Sequence, residues 1–181
     1  MKLLIASDIH GSALFCKKLI DNYREEKAER LILLGDILYH GPRNDLPEGY
    51  APKSVIELLN PLKDELLCVR GNCEAEVDQM VLAFPVLADY AVIFDGKTQL
   101  FLTHGHVLNE KPPPPLKKGS VLLNGHTHIP AARRHEDYIY VNPGSVSIPK
   151  ENSERSYIIY ENGEFIWKRL DDKSEYMRVN I

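Results

Sequence analysis

Histidines and oxygen-bearing side chains that can bind metal ions recur in short, glycine-flanked motifs along this sequence. Five of the seven histidines fall in three such motifs, and the other motifs contribute aspartates and an asparagine. The residues concerned are Asp8, His10, Asp36, Asn72, His104, His106, His126 and His128. Carboxylate, amide and imidazole ligands with almost no thiolate suit Mn, Fe or Zn rather than a soft metal or a cysteine-rich structural zinc site. The motifs therefore predict a metal centre with mixed oxygen and nitrogen ligands.

The spacing within two of these motifs supports shared coordination of one ion. In an extended segment, side chains at positions i and i+2 lie on the same side, which places Asp8 beside His10 and His126 beside His128. Asp36 has two carboxylate oxygens and can bridge two cations. The alternative interpretation of the same residues is a purely structural metal, or polar strand ends that bind no metal.

The elements that would position these motifs are short buried strands. Apolar runs at 2–7, 31–34 and 66–69 are each followed directly by a polar motif, and residues 13–23 between the first two carry an apolar stripe at helical spacing. Pro52 can open a further helix. This β-α-β order predicts a sheet that is covered on both faces. Its carboxyl edge, where α/β proteins bind their ligands, would hold the motifs.

The residue pattern in the second half of the chain predicts mainly β-strands. Short apolar or alternating runs are separated by turn signals, and Asn162-Gly163 predicts a hairpin into residues 165–169. We expect these strands to form a second sheet packed on the first, with Tyr157 to Ile181 supplying its edge strands. One further helix is predicted from Glu76 to Phe84.

Length and composition narrow the class of protein. The 181 residues predict one compact domain spanning 1–181, and the formal charge of -4 argues against stable binding to nucleic acid or an anionic membrane. Three cysteines give no disulfide framework, and no apolar run reaches the length of a membrane helix. A cytoplasmic location is therefore predicted. Homo-oligomer formation stays open.

Five blocks, taken in chain order, together resemble the signature of the calcineurin-like metallophosphoesterases. They are Asp8-x-His10, Gly35-Asp36, Gly71-Asn72-Cys73-Glu74, Thr103-His104-Gly105-His106 and Gly125-His126-x-His128. The resemblance extends from Met1 to about Ser147 and is closest to the small bacterial phosphodiesterases of that family. It implies an α/β (α+β) fold, a four-layer sandwich of two facing mixed β-sheets flanked by helices, with a two-metal site at one end.

The resemblance also implies a ligand set and a reaction. The first metal would be held by Asp8, His10, Asp36 and His128, and the second by Asp36 as the bridge with Asn72, His104 and His126. Both ions would be divalent, with Mn²⁺ expected first and Zn²⁺, Fe²⁺ or Ni²⁺ as alternatives. The implied activity is that of a metal-dependent phosphodiesterase, in which hydroxide bound to the dinuclear centre attacks the phosphorus of a small phosphoester.

The sequence departs from the family pattern at Cys73, where the family usually has a histidine over the scissile phosphate. A thiol of ordinary pKa is a weak general acid at neutral pH, so esters with poor leaving groups should react slowly. We expect His106 to act as a substitute proton donor. Arg43 and Asn44, in the loop after Asp36, are predicted to bind the substrate together with Asn72.

Other functions fit the same resemblance. A phosphomonoesterase or a nucleotide pyrophosphohydrolase would use the same metal site. A non-catalytic protein-interaction scaffold is the alternative from another class, because the resemblance extends to a retromer subunit that uses this fold as a protein-binding surface. The run Pro112 to Pro115 is the one feature that favours a protein partner.

Overall fold

Two mixed β-sheets face each other in the computed structural model, which describes residues 1–181. In chain order the elements are β1 (Lys2–Ala6), α1 (Ala13–Glu26), β2 (Arg30–Leu33), α2 (Pro52–Leu59), a 3-10 turn (Asn60–Leu62), β3 (Leu66–Cys68), α3 (Glu76–Val81), β4 (Ala91–Asp95), β5 (Thr98–Leu102), β6 (Ser120–Leu123), β7 (Pro130–Arg134), β8 (Tyr138–Pro143), β9 (Ser156–Glu161), β10 (Glu164–Arg169) and β11 (Glu175–Asn180). None of the helices combines the length and the apolar character needed to cross a lipid bilayer.

The strand order confirms the predicted pair of mixed sheets. The first sheet has the order β11-β10-β9-β1-β2-β3 and the second β4-β5-β6-β8-β7. β1, β2 and β3 run parallel to one another, as do β5, β6 and β8. The other strands pair antiparallel with their neighbours, namely β9, β10 and β11 in the first sheet and β4 and β7 in the second. The carboxyl ends of both parallel sets carry the predicted metal-binding motifs.

The placement of Tyr157 to Ile181 in the second sheet was wrong. β9 pairs antiparallel with β1 in the first sheet, with Ile159 opposite Leu4, and β10 and β11 continue that sheet. β9 is buried along both faces, since helices cover one side and the second sheet the other. This double burial explains why its sequence shows no polar face by which its sheet could be recognised.

Side chains along β1 alternate between its two faces and contribute to two separate hydrophobic cores. Leu4 and Ala6 face the helices, whereas Leu3 and Ile5 face the second sheet. The outer face of the second sheet packs instead against loop residues Leu108 and Leu116. The helical layer therefore lies against the first sheet.

Two helix ends follow from local sequence. Ser12 caps α1, because its hydroxyl oxygen accepts a hydrogen bond from the Phe15 N–H at 3.3 Å. α3 ends at Val81, earlier than the predicted Phe84, because Leu82 turns to extended backbone. Pro85 also disfavours helical backbone at the residue before it.

Glu26, at the end of α1, ties the helix to three strands of the first sheet. Its Oε1 accepts hydrogen bonds from Lys168 Nζ at 2.5 Å and the Tyr157 hydroxyl at 3.2 Å, and its Oε2 lies 3.4 Å from Lys2 Nζ. Burial acts to raise the pKa of the Glu26 carboxyl, but Lys168, Lys2 and Tyr157 hold that pKa below its ordinary value.

We expect Glu26→Gln to lower the free energy of unfolding by about 1–2 kcal/mol at pH 7, since hydrogen bonds to a charged group are lost. Because the folded-state pKa is depressed, this stabilisation is present above the unfolded pKa and is lost as the pH falls through the folded one. Urea titrations at pH 7 and pH 3 measure the difference in unfolding free energy between the wild type and Glu26→Gln. This difference should be smaller at pH 3. The exposed Glu57→Gln is the control, and equal losses in both variants would contradict the role given to Glu26.

Candidate metal centre

The predicted ligands lie on tight turns at the strand ends. Five of the ten non-glycine residues with positive φ are predicted metal ligands, namely Asp8, His10, Asp36, His126 and His128. Left-handed backbone at such residues costs about 1–3 kcal/mol each and is held only where surrounding structure enforces it. The turns bring side chains from both sheets to one end of the molecule, as the sequence predicted.

Two aspartates lie at the centre of this cluster. Asp8 Oδ1 is 3.3 Å from His128 Nε2 and 3.6 Å from His10 Nε2. Asp36 Oδ2 is 3.6 Å from His10 Nε2 and 3.4 Å from His104 Nε2. Asp36 thus lies between two groups of potential ligands, which is the position a bridging carboxylate requires.

The histidine tautomers are set by backbone carbonyl groups. The Nδ1 atoms of His10, His104 and His128 lie 2.6–2.7 Å from carbonyl oxygens, to which each must donate a proton. These oxygens belong to Tyr39, Leu34 and Ile148. In the neutral form of each ring, the opposite Nε2 atom carries a lone pair directed into the cluster.

Several of the acceptor atoms in the cluster have no hydrogen-bond donor facing them. The Nε2 atoms of His10 and His128 face each other at 3.2 Å, and the buried Asp8 Oδ1 has no hydrogen-bond partner. A buried set of lone pairs without donors is unfavourable unless a cation satisfies it. The residues present therefore fit divalent metal ions.

The charge state of the cluster also suits a metal site. Burial acts to raise the pKa of Asp8, yet His10 and His128 hold it well below its usual value. The pKa of Asp36 is lowered in the same way by His104 against the effect of burial. Burial acts to lower the pKa of His104, but without a metal Asp36 and Asp8 raise it to about 9, so a cation bound at His104 Nε2 would displace a proton. Both carboxylates are accordingly ionised at neutral pH.

The residues predicted for the second ion are also brought together. Asn72 Oδ1 is 3.2 Å from His104 Nε2, and the His104 and His126 ring centroids are 5.1 Å apart. The His126 N–H donates to Asp8 Oδ2 at 3.0 Å, which links the two groups.

Cys73 adjoins this cluster. Its Sγ accepts a hydrogen bond from Asn72 Nδ2 at 3.3 Å, and its N–H donates to Asp36 Oδ1 at 2.9 Å. Burial and the neighbouring Asp36 carboxylate raise the pKa of the Cys73 thiol. The group is therefore a neutral thiol at neutral pH, and a poor proton donor.

An open cleft of about 420 Å³ covers the metal-binding cluster. Arg43 and Asn44, which the sequence suggested as substrate-binding residues, line it, and Thr127 and Lys150 line it as well. Sequence reasoning missed these last two. Thr127 lies between two predicted histidines, which was an available signal, whereas Lys150 had none. His106 lies outside this cleft, with its ring 5.4 Å from that of His104 and 6.2 Å from that of His126.

Glu74 positions the turn that carries Asp36. Its buried carboxylate accepts the N–H groups of Asp36 at 2.9 Å and Ile37 at 2.7 Å, and also that of Gly71. It therefore fixes the turns after β2 and β3 against each other. Gly71 is required at this point because a Cβ there would lie 2.2 Å from Asp36 Oδ1.

The two facing mixed sheets and the histidine and aspartate cluster at their common end define a class of protein. The chain belongs to the calcineurin-like phosphoesterase superfamily, whose domain model matches residues 1–164. It is 45% identical over 181 residues to phosphodiesterase YfcE of Escherichia coli K12, covering 100% of this chain and 98% of that protein. The solved structure of E. coli YfcE, a phosphoesterase, superposes with a TM-score of 0.97 and covers 100% of both chains.

The same fold occurs in a more distant structure. The zinc complex of Vps29 from Entamoeba histolytica matches with a TM-score of 0.64 at 20% identity, covering 99% of both chains. At this level of identity the match concerns the fold alone.

Proposed function

We propose that this protein is a metal-dependent phosphodiesterase that hydrolyses a small phosphodiester to a phosphomonoester and an alcohol. The observation that carries the proposal is the convergence of His10 Nε2, His128 Nε2 and the unpartnered Asp8 Oδ1 on one point beside Asp36. The full-length similarity to phosphodiesterase YfcE supports the same reaction.

Two groups of side chains would hold the metal ions. One consists of Asp8, His10, Asp36 and His128, and the other of Asp36, Asn72, His104 and His126. When bound, two divalent cations would supply Lewis-acid charge and a nucleophile that is active at neutral pH. Mn²⁺ is the ion that we expect to support the highest activity.

The cleft supplies further positive groups for the phosphoryl oxygens. Arg43 and Lys150 both line it, and neither side chain forms an ion pair within the protein. Arginine binds phosphate through a planar pair of N–H groups, and lysine binds it as a point charge. Both side chains are thus available to orient a phosphodiester anion.

The direct test compares bis-p-nitrophenyl phosphate with p-nitrophenyl phosphate. Metal-stripped protein is resupplied with Mn²⁺, Zn²⁺, Ni²⁺ or Mg²⁺, and release of p-nitrophenol is followed. We expect metal-dependent cleavage of the diester at well above the rate for the monoester. A faster monoester reaction would favour a phosphomonoesterase. No turnover of either compound with two metals bound would favour the non-catalytic scaffold.

Cys73→His should change the dependence on the leaving group. A histidine can protonate a departing alkoxide, whereas the neutral Cys73 thiol is a poor acid. We expect kcat/KM for an alkyl phosphodiester to rise about tenfold or more, and that for an aryl diester to change little. Cys73→Ser, which keeps the size and adds no comparable acid, is the control. An equal gain for alkyl and aryl esters would show that leaving-group protonation is not limited by Cys73.

A further inference from the structure

Residues 144–148, directly after β8, lie against turns that carry the first group of ligands. This group consists of Asp8, His10, Asp36 and His128. The segment is buried as far as Ser147, and Ser145 is 0% exposed. None of its side chains belongs to either group of metal ligands, and the proposed function gives the segment no role. Its hydrogen bonds nevertheless reach two of the ligand residues.

The Asp8 carbonyl oxygen receives its hydrogen bonds from two serine hydroxyl groups. Ser145 Oγ donates to it at 2.8 Å and Ser147 Oγ at 3.0 Å. No backbone N–H donates to this oxygen. Asp8 is buried and has a φ of 60°, a conformation that persists only where the surrounding structure enforces it. The two hydroxyl groups therefore hold the turn from which the Asp8 carboxylate faces the metal cluster.

The Ser145 hydroxyl also connects Asp8 to a second ligand. Its oxygen accepts a hydrogen bond from the Ile148 N–H at 2.9 Å. The carbonyl of Ile148 in turn lies 2.7 Å from His128 Nδ1, which donates to it. Asp8 follows a strand of the first sheet and His128 a strand of the second, so this chain of hydrogen bonds joins the two sheets at the metal cluster.

The hydroxyl groups of Ser145 and Ser147 reach only the first group of ligands. Neither is hydrogen-bonded to a residue that is assigned to the second ion alone, namely Asn72, His104 or His126. The His104 ring is oriented instead by the Leu34 carbonyl, 2.6 Å from its Nδ1. Loss of a serine hydroxyl should therefore disturb the first ion more than the second.

We propose that Ser145, with Ser147 as a second donor, is a positioning residue for the first metal ion. Asp8 Oδ1 and His128 Nε2 lie 3.3 Å apart. Two ligand atoms at about 2.1 Å from one ion lie about 3.0–3.4 Å from each other, so the two are already at the separation that a shared ion requires. Ser145 would maintain this separation without touching the ion. The inference rests on the proposed function, which assigns the two groups of ligands.

The test measures Mn²⁺ binding to the metal-stripped full-length protein, with unbound Mn²⁺ followed by its EPR signal. Asn72→Ala removes a ligand of the second ion, and His128→Ala one of the first, so each serves as a background in which the other ion is measured. With Asn72→Ala, we expect Ser145→Ala to lower Mn²⁺ affinity by about ten- to a hundredfold. With His128→Ala, the same change should alter the affinity by less than about threefold.

Ser156→Ala is the matched control for loss of a buried hydroxyl. Ser156 is also 0% exposed, but its Oγ donates to the Pro143 carbonyl at 2.7 Å and to no ligand residue. It should leave the affinity for the first ion within about threefold of its value in the same background. Ser147→Ala should lower that affinity less than Ser145→Ala, because the Asp8 carbonyl keeps one donor. If Ser145→Ala does not fold, Ser147→Ala decides the question.

An equal loss in both backgrounds, or a loss matched by Ser156→Ala, would overturn the proposal, since the serine would then support the fold in general. Unchanged affinity in both Ser145→Ala and Ser147→Ala would overturn it as well. Cleavage of bis-p-nitrophenyl phosphate by the Mn²⁺-loaded wild type is measured in parallel. If the diester is not cleaved, the proposed function has failed, and the Mn²⁺ affinities test the serines by themselves. If it is cleaved and the affinities do not change, the positioning role alone has failed.

Discussion

Asp36→Asn is expected to lower kcat for phosphodiester hydrolysis by about a thousandfold or more. Asp36 lies within 3.6 Å of His10 Nε2 and 3.4 Å of His104 Nε2, between the two groups of ligands. An amide of the same shape has no charge with which to bridge two cations. Loss of one metal removes several kcal/mol of transition-state stabilisation, and each ~1.4 kcal/mol corresponds to a tenfold change in rate.

Metal analysis of the purified variant provides a readout that is independent of turnover. We expect at most one tightly bound divalent ion per chain, against two in the wild type. Asp45→Asn is the matched control, since that carboxylate is exposed in the loop after Asp36 and should change neither quantity. A variant that retained two metals and full activity would remove the basis for the bridging role.

Glu74→Gln is expected to lower the free energy of unfolding by about 2–3 kcal/mol and metal affinity by about ten- to a hundredfold. The Glu74 carboxylate accepts three backbone N–H groups, from Asp36, Ile37 and Gly71. A glutamine presents an NH₂ group to at least one of these donors, which leaves that N–H buried and unpaired. The turn that carries Asp36 is then no longer held in its metal-binding conformation.

Urea unfolding of the metal-free protein measures the first effect, and competition with a chelating dye measures the second. Glu76→Gln, two residues further on and exposed at the start of α3, should change the unfolding free energy by less than about 0.5 kcal/mol. If Glu74→Gln lost stability but bound metal with unchanged affinity, the carboxylate would hold the fold together without positioning the ligands.

The local pattern of apolar residues predicted the strands that carry the metal-binding motifs. β1, β2 and β3 each bury an apolar run and end directly before a polar motif, so their carboxyl ends could be placed at one edge without coordinates. The contrast with β9 shows the limit of this reasoning. Because β9 is buried on both faces, nothing in its own sequence indicates which of the two sheets it joins. Its antiparallel pairing with β1 assigns it to the first sheet.

The sequence by itself determined the chemistry of this protein, because ligand types and their spacing within each motif are local properties. Asp8, His10, Asp36, His104 and His128 could be chosen from motifs alone, and the structure brings them together. Only the tertiary structure decided how Glu74 acts, since its three N–H partners lie on two turns separated by more than thirty residues of chain.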